Sequence, residues 1–453
     1  MILFISAGQE VTRKSNTSIN KRNLYLNYGL LSIATHFSNK GYPSLQIHGH
    51  FHEPKDFFYH YEGLGYFSND YPIFISIPSF YALSWTRNIL KLIRERYRNK
   101  KIIIGGRWLI DGEIDNLIDQ IGPIDYIGDG LGENHFEFIE NNFLKNFKKD
   151  KFISFKKLNY ELLENRNLYQ PSIEVSRGCG MGCSFCQEKS LPLEKLISPE
   201  LLCNQVEDTL ISDSLTKMTP YFEASMFIPS KTWSEDLANI VGERGLREKL
   251  EWRTESRVDS INPQILPILR DAGLRIIDLG LESASEIQLQ RMSKTSNPKK
   301  YLERASVILR EAKRNNIKVK INILLYAGEC MSTIQETKDW LHAHKECIFG
   351  VSVGPVVVYG WKNKITPYLE ELKSIGATPC EKNSIIGVQQ INLSSSIDHE
   401  AARYLSHQIS REFMTAENFF NLKKFSYFPR NYSFNDFLAD LKYESPENLS
   451  FSL

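Results

Sequence analysis

Short apolar runs alternate with helix-length amphipathic segments through the first 150 residues. Apolar runs of this length that are bounded by Gly, Pro or Asn are typical of buried strands, whereas apolar positions at a period near 3.6 predict helices. The predicted strands are Ile2–Ser6, Ser44–Gly49, Tyr71–Ser79, Lys101–Gly106 and Ile124–Gly130. The predicted helices are Leu24–Lys40, Ala82–Arg98, Asp111–Ile121 and Glu133–Lys145. Strands alternating with helices at this interval favour an α/β, doubly wound parallel sheet.

The same alternation resumes after a charged, irregular segment. Six further strands are predicted at Ser172–Ser176, Tyr221–Phe227, Glu251–Val258, Arg275–Leu281, Lys318–Tyr326 and Phe349–Tyr359. Helical runs between them include Pro199–Ser212, Pro263–Ala272, Lys300–Arg314 and Thr333–His344. We therefore expect a domain at 1–150, a linker at 151–170, a second domain at 171–379 and a C-terminal extension at 380–453. The extension contains a predicted helix, Asp398–Phe413, and an aromatic stretch, Phe419–Phe437, that caps the second domain or recognises substrate.

Composition is that of a large soluble enzyme. The chain has 453 residues, 42% of them apolar, which suffices for two or three domains with full cores. Basic and acidic residues number 55 and 54, so no electrostatic argument for nucleic acid arises. No run approaches the roughly 20 apolar residues of a membrane span, and the first residues lack the basic region of a secretory signal. We expect a cytoplasmic protein without a membrane or nucleic-acid partner.

Three of the seven cysteines lie within eight residues, at Cys179, Cys183 and Cys186. Their spacing is C-x3-C-x2-C, among glycines and with Phe185 before the last cysteine. Three soft thiolates on one compact loop suit three irons of a cubic four-iron four-sulfur cluster, which leaves the fourth iron open to a small molecule.

Other interpretations of the cysteines fit less well. Buried cysteines act as small apolar side chains, but three within eight residues among glycines are unlike core packing. A structural zinc site normally has four ligands in two separated pairs, and the other cysteines, Cys203, Cys330, Cys347 and Cys380, are scattered. A disulfide framework suits a small, cysteine-dense secreted chain.

The cysteine run resembles the signature of the radical S-adenosylmethionine (SAM) superfamily. The resemblance implies that Cys179, Cys183 and Cys186 bind the cluster, that SAM chelates its open iron, and that Phe185 lies near the adenine. It also implies that the six strand–helix units form a partial (β/α)6, TIM-like barrel. The cysteine loop follows the first strand of that barrel, so the cluster is expected at the carboxyl ends of the strands, where such barrels carry their active sites.

Three further segments resemble the family at the ends of barrel strands. Arg257 lies in a Ser-Arg-Val-Asp segment and is expected to pair with the SAM carboxylate, although an arginine at a strand end is equally often a surface ion-pair partner. Glu282 and Ser283 lie in a Gly-Leu-Glu-Ser-Ala-Ser segment, where the carboxylate can accept hydrogen bonds from ribose or ammonium. Glu223 to Ser225 replaces the usual Gly-Gly-Glu, which leaves open the group that holds the SAM amine.

The first 150 residues resemble the cobalamin-binding domain that is fused to many radical SAM enzymes. The matching segments are Gly29–Ala34, Phe74–Ser79, Gly105–Gly106 and Asp125–Gly130. Ligands of such sheets lie beyond the carboxyl ends of the strands, so Ser79, Gly105 and Gly106 are candidate cobalamin contacts. The Asp-x-His-x-x-Gly motif that supplies a cobalt-binding histidine in other cobalamin proteins is absent. The domain therefore binds cobalamin without that histidine or serves a structural purpose only.

Three alternating histidines, His48, His50 and His52, follow the second strand. Side chains at this spacing share one face only in an extended segment. Because no cysteine or carboxylate cluster accompanies them, we interpret them as a polar surface loop rather than a metal site.

Two cysteines outside the cluster motif are candidate hydrogen donors, and their role distinguishes two hypotheses for the reaction. Cys330 follows the fifth barrel strand, and Cys380 lies where the barrel closes. In the first hypothesis cobalamin supplies a methyl group to a carbon of a peptide or natural product. In the second, a cobalamin-free epimerase of a ribosomal peptide uses one of these thiols as hydrogen donor, although a half-buried structural thiol is the alternative. A redox-sensing cluster is a third, non-enzymatic hypothesis, which the barrel segments disfavour. The enzyme hypotheses require a peptide or small-molecule substrate and a reducing partner such as flavodoxin or ferredoxin.

Overall fold

The computed structural model describes residues 1–11, 17–147, 149, 158–212, 215–382 and 385–453. The chain divides into two compact units. The first comprises Met1–Leu168 with the short segments Tyr359–Thr366 and Asn383–Gln389, and the second comprises the remaining residues. The proposed boundaries at 150, 170 and 379 stay a prediction, and residues 151–157 of the proposed linker lie outside the described part of the chain.

The N-terminal unit is built on a five-stranded parallel sheet with the order β2-β1-β3-β4-β5. Its strands are β1 (Ile2–Ser6), β2 (Ser44–His48), β3 (Ile73–Ser76), β4 (Ile102–Gly105) and β5 (Tyr126–Gly128). Its helices are α1 (Ser18–Lys21), α2 (Tyr28–Asn39), α3 (Pro54–Gly63), α4 (Leu83–Arg96), α5 (Arg107–Ile110), α6 (Ile114–Ile121) and α7 (Phe136–Ile139). The prediction of a doubly wound parallel sheet is confirmed.

The apolar character of the strands explains this layering. All five residues of β1 are buried, as are Ile102, Ile103 and Ile104 of β4, because helices cover both faces of a parallel sheet. Helix α2 begins after Asn27, whose side chain accepts a hydrogen bond from the backbone N–H of Leu30 at 3.1 Å. Strand β3 is shorter than predicted because Ile77 and Pro78 already belong to the turn that leads into α4.

The second unit contains an open barrel of six parallel strands in the order β11-β10-β9-β8-β7-β6. These strands are β6 (Ser172–Glu174), β7 (Tyr221–Glu223), β8 (Trp252–Arg257), β9 (Leu274–Glu282), β10 (Lys318–Leu325) and β11 (Gly350–Pro355). The intervening helices are α8 (Pro199–Ser212), α9 (Lys231–Glu243), α10 (Leu266–Asp271), α11 (Glu286–Arg291), α12 (Pro298–Arg314) and α13 (Met331–Ala343). The predicted partial (β/α)6 barrel is confirmed.

The C-terminal part is mostly helical, as expected. It contains α14 (Lys362–Ser374), α15 (His399–Phe413), α16 (Ala416–Ser426) and α17 (Phe434–Leu441), with the short strands β12 (Val357–Tyr359), β13 (Thr378–Pro379) and β14 (Val388–Asn392). The predicted sixth strand is divided between β11 and β12. The aromatic stretch forms a core of its own, in which Phe428 and Phe437 are fully buried and Phe419 contacts Phe451. Within the described residues, no helix is long and apolar enough to cross a membrane.

A buried ion-pair network lies inside the barrel. Arg253 on β8 donates to both carboxylate oxygens of Asp278 on β9, at 2.5 and 2.8 Å. Lys320 on β10 donates to the same carboxylate at 2.9 Å. Burial works against ionisation of Asp278, but Arg253 and Lys320 outweigh it and hold the pKa of this carboxyl well below its usual value. Asp278 is thus the shared counter-ion of two cations.

Replacing Asp278 with alanine leaves Arg253 and Lys320 without their counter-charge. Because a buried charge without a partner is costly, we expect Asp278→Ala to lower the free energy of unfolding by about 3–5 kcal/mol. Chemical denaturation measures this change. The control is Glu346→Ala, whose side chain is 90% exposed, with an expected effect within about 0.5 kcal/mol. Equal stability of the two variants would contradict the role given to Asp278.

Candidate functional site

The three clustered cysteines lie on the loop that follows β6, and this loop folds back on itself. The backbone N–H groups of Cys179 and Gly180 both donate to the carbonyl of Leu191, at 3.2 and 2.9 Å. Gly178 has a φ of +71°, and a Cβ atom there would lie 1.9 Å from the carbonyl oxygen of Pro192. Only glycine fits this close approach, so Gly178, directly before Cys179, determines the path of the chain into the loop.

All three thiols are free, and together they suit an iron–sulfur cluster. Cys179 and Cys183 are buried and Cys186 is half-buried. Burial raises the pKa of the Cys179 and Cys186 thiols, and neighbouring thiols of the trio add to both shifts, which indicates that the sulfurs lie near one another. In the described part of the chain, no group of three His, Cys, Asp or Glu side chains converges as around a single metal ion. A cluster does not need such convergence, because each thiolate binds a different iron.

Arg257 lies at the end of β8, directly beside this loop. One of its guanidinium nitrogens lies 2.6 Å from the sulfur of Cys183, and two others donate to the carboxylate of Asp259 at 2.9 and 2.8 Å. The same guanidinium reaches the backbone carbonyl of Lys294 at 2.5 Å. Arg257 is 7% exposed, so it is not a surface ion-pair partner. A cation held in this position suits an anionic group bound next to the cysteine loop.

Glu282 lies at the end of β9, the strand that pairs with β8. Its backbone has a φ of +69°, an unusual conformation for a residue other than glycine. Its carboxylate accepts a hydrogen bond from Lys294 at 3.0 Å, and the Lys294 ammonium also lies 5.9 Å from the centre of the Phe185 ring. The structure therefore brings Cys183, Phe185, Arg257 and Glu282 into one connected group through Lys294.

The predicted residues after β7 lie on the same barrel but make other contacts. Glu223 accepts a hydrogen bond from Ser172 at 2.9 Å. Burial raises the pKa of Glu223 to about 7, and the carboxylates of Glu255 and Glu174 add to the shift. Ser225 donates to Glu188, which follows the cysteine loop, at 2.7 Å.

The remaining candidates of the second unit make other contacts. Ser283 is buried and contacts the hydroxyl of Thr337 on α13 at 3.1 Å. Cys330 is the residue before α13, and its sulfur lies 3.0 Å from the hydroxyl of Ser332. Hydrogen bonds from Ser332 and Thr333 lower the pKa of the Cys330 thiol to about 7. Cys380 follows β13 and is half-buried, and its backbone N–H donates to Gln390 at 2.8 Å.

The N-terminal unit places Ser79, Gly105 and Gly106 at the carboxyl ends of β3 and β4. The hydroxyl of Ser79 is buried without a hydrogen-bond partner among the described residues. A Cβ atom on Gly105 would meet nothing within 4 Å, whereas one on Gly106 would lie 2.5 Å from the carbonyl oxygen of Ile77. The open space at Gly105 and the unpaired hydroxyl of Ser79, both beyond or at the carboxyl ends of these strands, fit a ligand such as a corrin at this edge of the sheet.

The interpretation of His48, His50 and His52 as a surface loop is wrong for His48. This histidine ends β2 and is 7% exposed, it accepts the backbone N–H of Asn27, and its ring stacks on that of His50. Burial, aided by His50, lowers the pKa of His48 well below its usual value, so the ring stays neutral. Only His52 is exposed. The strand continues to His48 because Ser6 pairs with it across the parallel ladder.

Sequence reasoning missed three residues of the connected group. Lys294 joins Glu282, Phe185 and Arg257, and Asp259 orients Arg257. Tyr326 links Ser184 of the cysteine loop to Tyr368 through hydroxyl contacts of 3.1 and 2.9 Å. Asp259 is the last residue of the Ser-Arg-Val-Asp segment that resembles the family. No sequence signal distinguishes Lys294 or Tyr326 from ordinary residues at the ends of helices and strands.

Comparisons with known proteins agree with this geometry. Residues 173–341 match the model of the Radical SAM superfamily. The fold is similar to that of the radical SAM methyltransferase TsrM from Kitasatospora setae, solved with tryptophan and a SAM analogue (13% identity, 89% of this chain and 82% of that one, TM-score 0.63). TsrM solved with cobalamin and a [4Fe-4S] cluster gives 13% identity, 92% and 82% coverage and a TM-score of 0.62.

A second enzyme with this fold is OxsB, a cobalamin-dependent radical SAM enzyme solved with aqua-cobalamin and SAM. Identity is 17%, the match covers 75% of this chain, and the TM-score is 0.57. The chain spans about half of OxsB, since 51% of that protein is covered. No curated protein matches the chain.

Fold and site together define the class. Residues 173–341 are a radical SAM domain, which implies a four-iron four-sulfur cluster and SAM as its cofactors. The chain therefore contains a radical SAM domain, and its fold as a whole is similar to those of the cobalamin-dependent enzyme OxsB and of TsrM, which was solved with cobalamin bound. Cys179, Cys183 and Cys186 are the residues of this chain that fit the cluster.

Replacing any one of these three cysteines with alanine removes a thiolate from the cluster. We expect Cys179→Ala, Cys183→Ala and Cys186→Ala to lose most of the bound iron and sulfide after anaerobic reconstitution, because no other cysteine lies on this loop. Iron and sulfide analysis with visible absorption measures the loss. Cys347→Ala, a half-buried cysteine on another segment, is the control and should retain the cluster. A full cluster in the Cys186→Ala protein would contradict the assignment.

Proposed function

We propose that this radical SAM enzyme methylates a carbon of a peptide or other natural product and depends on cobalamin for that reaction. One observation carries the proposal. The cysteine loop, Arg257 and Glu282 form one connected group at the carboxyl ends of the barrel strands, and the N-terminal unit has open space and an unsatisfied hydroxyl at the corresponding ends of its own strands.

The barrel residues have distinct roles toward SAM in this proposal. Arg257, held by Asp259, receives the SAM carboxylate, since a fixed guanidinium suits a carboxylate. Glu282 or Glu223 accepts the SAM ammonium, and Phe185 packs near the adenine. When bound, the cluster supplies the electron that splits SAM into methionine and a 5′-deoxyadenosyl radical. The barrel orients the substrate carbon and excludes water from the radical.

The N-terminal unit holds the cobalamin in this proposal. Ser79 offers a hydroxyl, Gly105 leaves space, and Gly106 allows the turn after β4 to pass close to Ile77. Cobalamin supplies the methyl group when bound. The likeness to TsrM and OxsB supports the proposal because cobalamin was bound to proteins with this fold. A flavodoxin or ferredoxin would supply electrons in the cytoplasm.

The alternative is a cobalamin-free epimerase in which Cys330 or Cys380 donates hydrogen. Cys330 follows β10 and is half-buried, which brings a thiol to the barrel face that carries the chemistry. The lowered pKa of Cys330 increases the fraction of thiolate, which has no hydrogen atom to donate, and so counts against Cys330 as the donor but not against Cys380. Product analysis separates the two reactions.

Reduction of the enzyme with its cluster and cobalamin in place should yield both 5′-deoxyadenosine and S-adenosylhomocysteine. The test supplies SAM with a deuterated methyl group, together with a peptide and metabolite extract of the cells that express the protein. We expect a product that carries the deuterated methyl group, measured by mass spectrometry. Omission of cobalamin is the control and should abolish S-adenosylhomocysteine. A product without the label that takes up one deuterium from heavy water would instead establish the epimerase.

A side chain on Gly105 should block cobalamin without harming the fold. Because a Cβ atom there meets nothing within 4 Å, Gly105→Val projects into open space where we place the corrin. We expect cobalamin affinity to fall at least tenfold, measured by absorption of the bound corrin. Gly63→Val is the control, since Gly63 also has open space around it but lies at the end of α3. Unchanged affinity in Gly105→Val would place the corrin elsewhere.

A further inference from the structure

One layer of side chains inside the barrel consists largely of carboxylates. Parallel pairing puts Glu174 beside Glu223, Glu255 beside Asp278, and Asp278 beside Lys320. The pairs of Tyr221 with Arg253 and of Phe222 with Thr254 bring Glu223 to the level of Glu255. Neighbouring strands lie about 4.8 Å apart, so four carboxylates on successive strands share one face. We call Glu174, Glu223, Glu255 and Asp278 the carboxylate row.

The ends of the carboxylate row are neutralised by cations of this chain. Glu174 forms two hydrogen bonds with Arg177, at 2.7 and 2.8 Å. Asp278 binds both Arg253 and Lys320. Glu282, at the carboxyl end of β9, forms an ion pair with Lys294.

The middle of the row is different. In the part of the chain that the structure describes, the carboxylate of Glu223 accepts a hydrogen bond from the hydroxyl of Ser172, and Glu255 makes no hydrogen bond or ion pair. Glu255 is exposed while its neighbours on β8, Thr254 and Ser256, are buried, so its side chain faces the open lumen of the barrel. Among the charged groups around Glu255, the carboxylate of Asp278, its partner on β9, raises the pKa of Glu255 more than the ammonium group of either Lys320 or Lys294 lowers it. The surroundings of this carboxylate therefore disfavour a further negative charge and favour a positive one.

We propose that Glu255 binds a cationic nitrogen of the substrate, so that the substrate class is an amine or another compound with a protonated nitrogen. This inference rests on the proposed function, in which the substrate enters the barrel lumen. Glu255 lies two residues before Arg257 on the same face of β8, which puts the bound nitrogen one layer below the group assigned to SAM. An ammonium there is attracted by Glu255 and Glu223 and is kept from the base of the barrel by Arg253 and Lys320.

Binding of simple amines tests the proposal without a known substrate. The probes are the straight-chain primary amines from ethylamine to octylamine, with the alcohols of the same lengths as neutral counterparts. Each is titrated into the enzyme with its cluster and SAM in place, and saturation-transfer NMR reports binding. We expect amines of at least one length to bind saturably and more tightly than the matching alcohols. We also expect Glu255→Gln to weaken amine binding at least tenfold and to leave alcohol binding unchanged.

Two further variants keep the result unambiguous. Glu255→Asp retains the charge and should retain amine binding, which covers the case in which Glu255→Gln fails to fold. Glu346→Gln makes the same chemical change at an exposed position and should bind amines as the wild type does. Amine binding that is absent at all lengths, equal to alcohol binding, or unaffected in Glu255→Gln would overturn the proposal. Because these measurements need no turnover, failure of methylation and failure of amine binding are distinguishable.

Discussion

Charge compensation inside the barrel is the constraint on which the rest of this structure depends. Arg253 and Asp278 are almost completely buried there, so each of these ionised side chains needs a counter-charge or a hydrogen bond. Asp278 meets this requirement for Arg253 and Lys320, and Lys294 meets it for Glu282. Together these pairs hold the upper and lower layers of the lumen in fixed positions. In the middle layer, Glu255 has no such partner among the described residues, and we propose that a substrate cation binds there.

The same constraint explains the arrangement around the cysteine loop. Glycines allow the loop to fold tightly over the end of β6, and this brings Cys183 against Arg257. Arg257 is in turn oriented by Asp259 and by the Lys294 carbonyl. A cation whose direction is determined by two acceptors stays in place whether or not its ligand is bound. In the proposed function, the cluster, SAM and the substrate would share this one set of strand ends.

Much of the fold could be predicted from the sequence, but with unequal success along the chain. Ile2–Ser6 was predicted with its observed limits because a fully apolar run can only be a buried strand in this context. His48 was placed in a surface loop, since its burial depends on Asn27, a residue of a different segment. On β8 the sequence alternates Arg253, Glu255 and Arg257 with Trp252, Thr254 and Ser256, and of these six residues only Glu255 is exposed in the structure. That pattern predicts a strand but cannot distinguish a polar face in solvent from one inside a barrel.

The sequence by itself determined the class of cofactor chemistry, because three thiolates at this spacing on a glycine-rich loop are a local property of eight residues. It also determined the alternation of strands and helices, which follows from the periodicity of apolar positions. Only the tertiary structure decided which distant side chains meet. Lys294 reaches Glu282 across 12 positions, and Arg257 reaches Cys183 across 74. Such pairs arise from the lateral order of the strands, and no pattern within one segment carries that information.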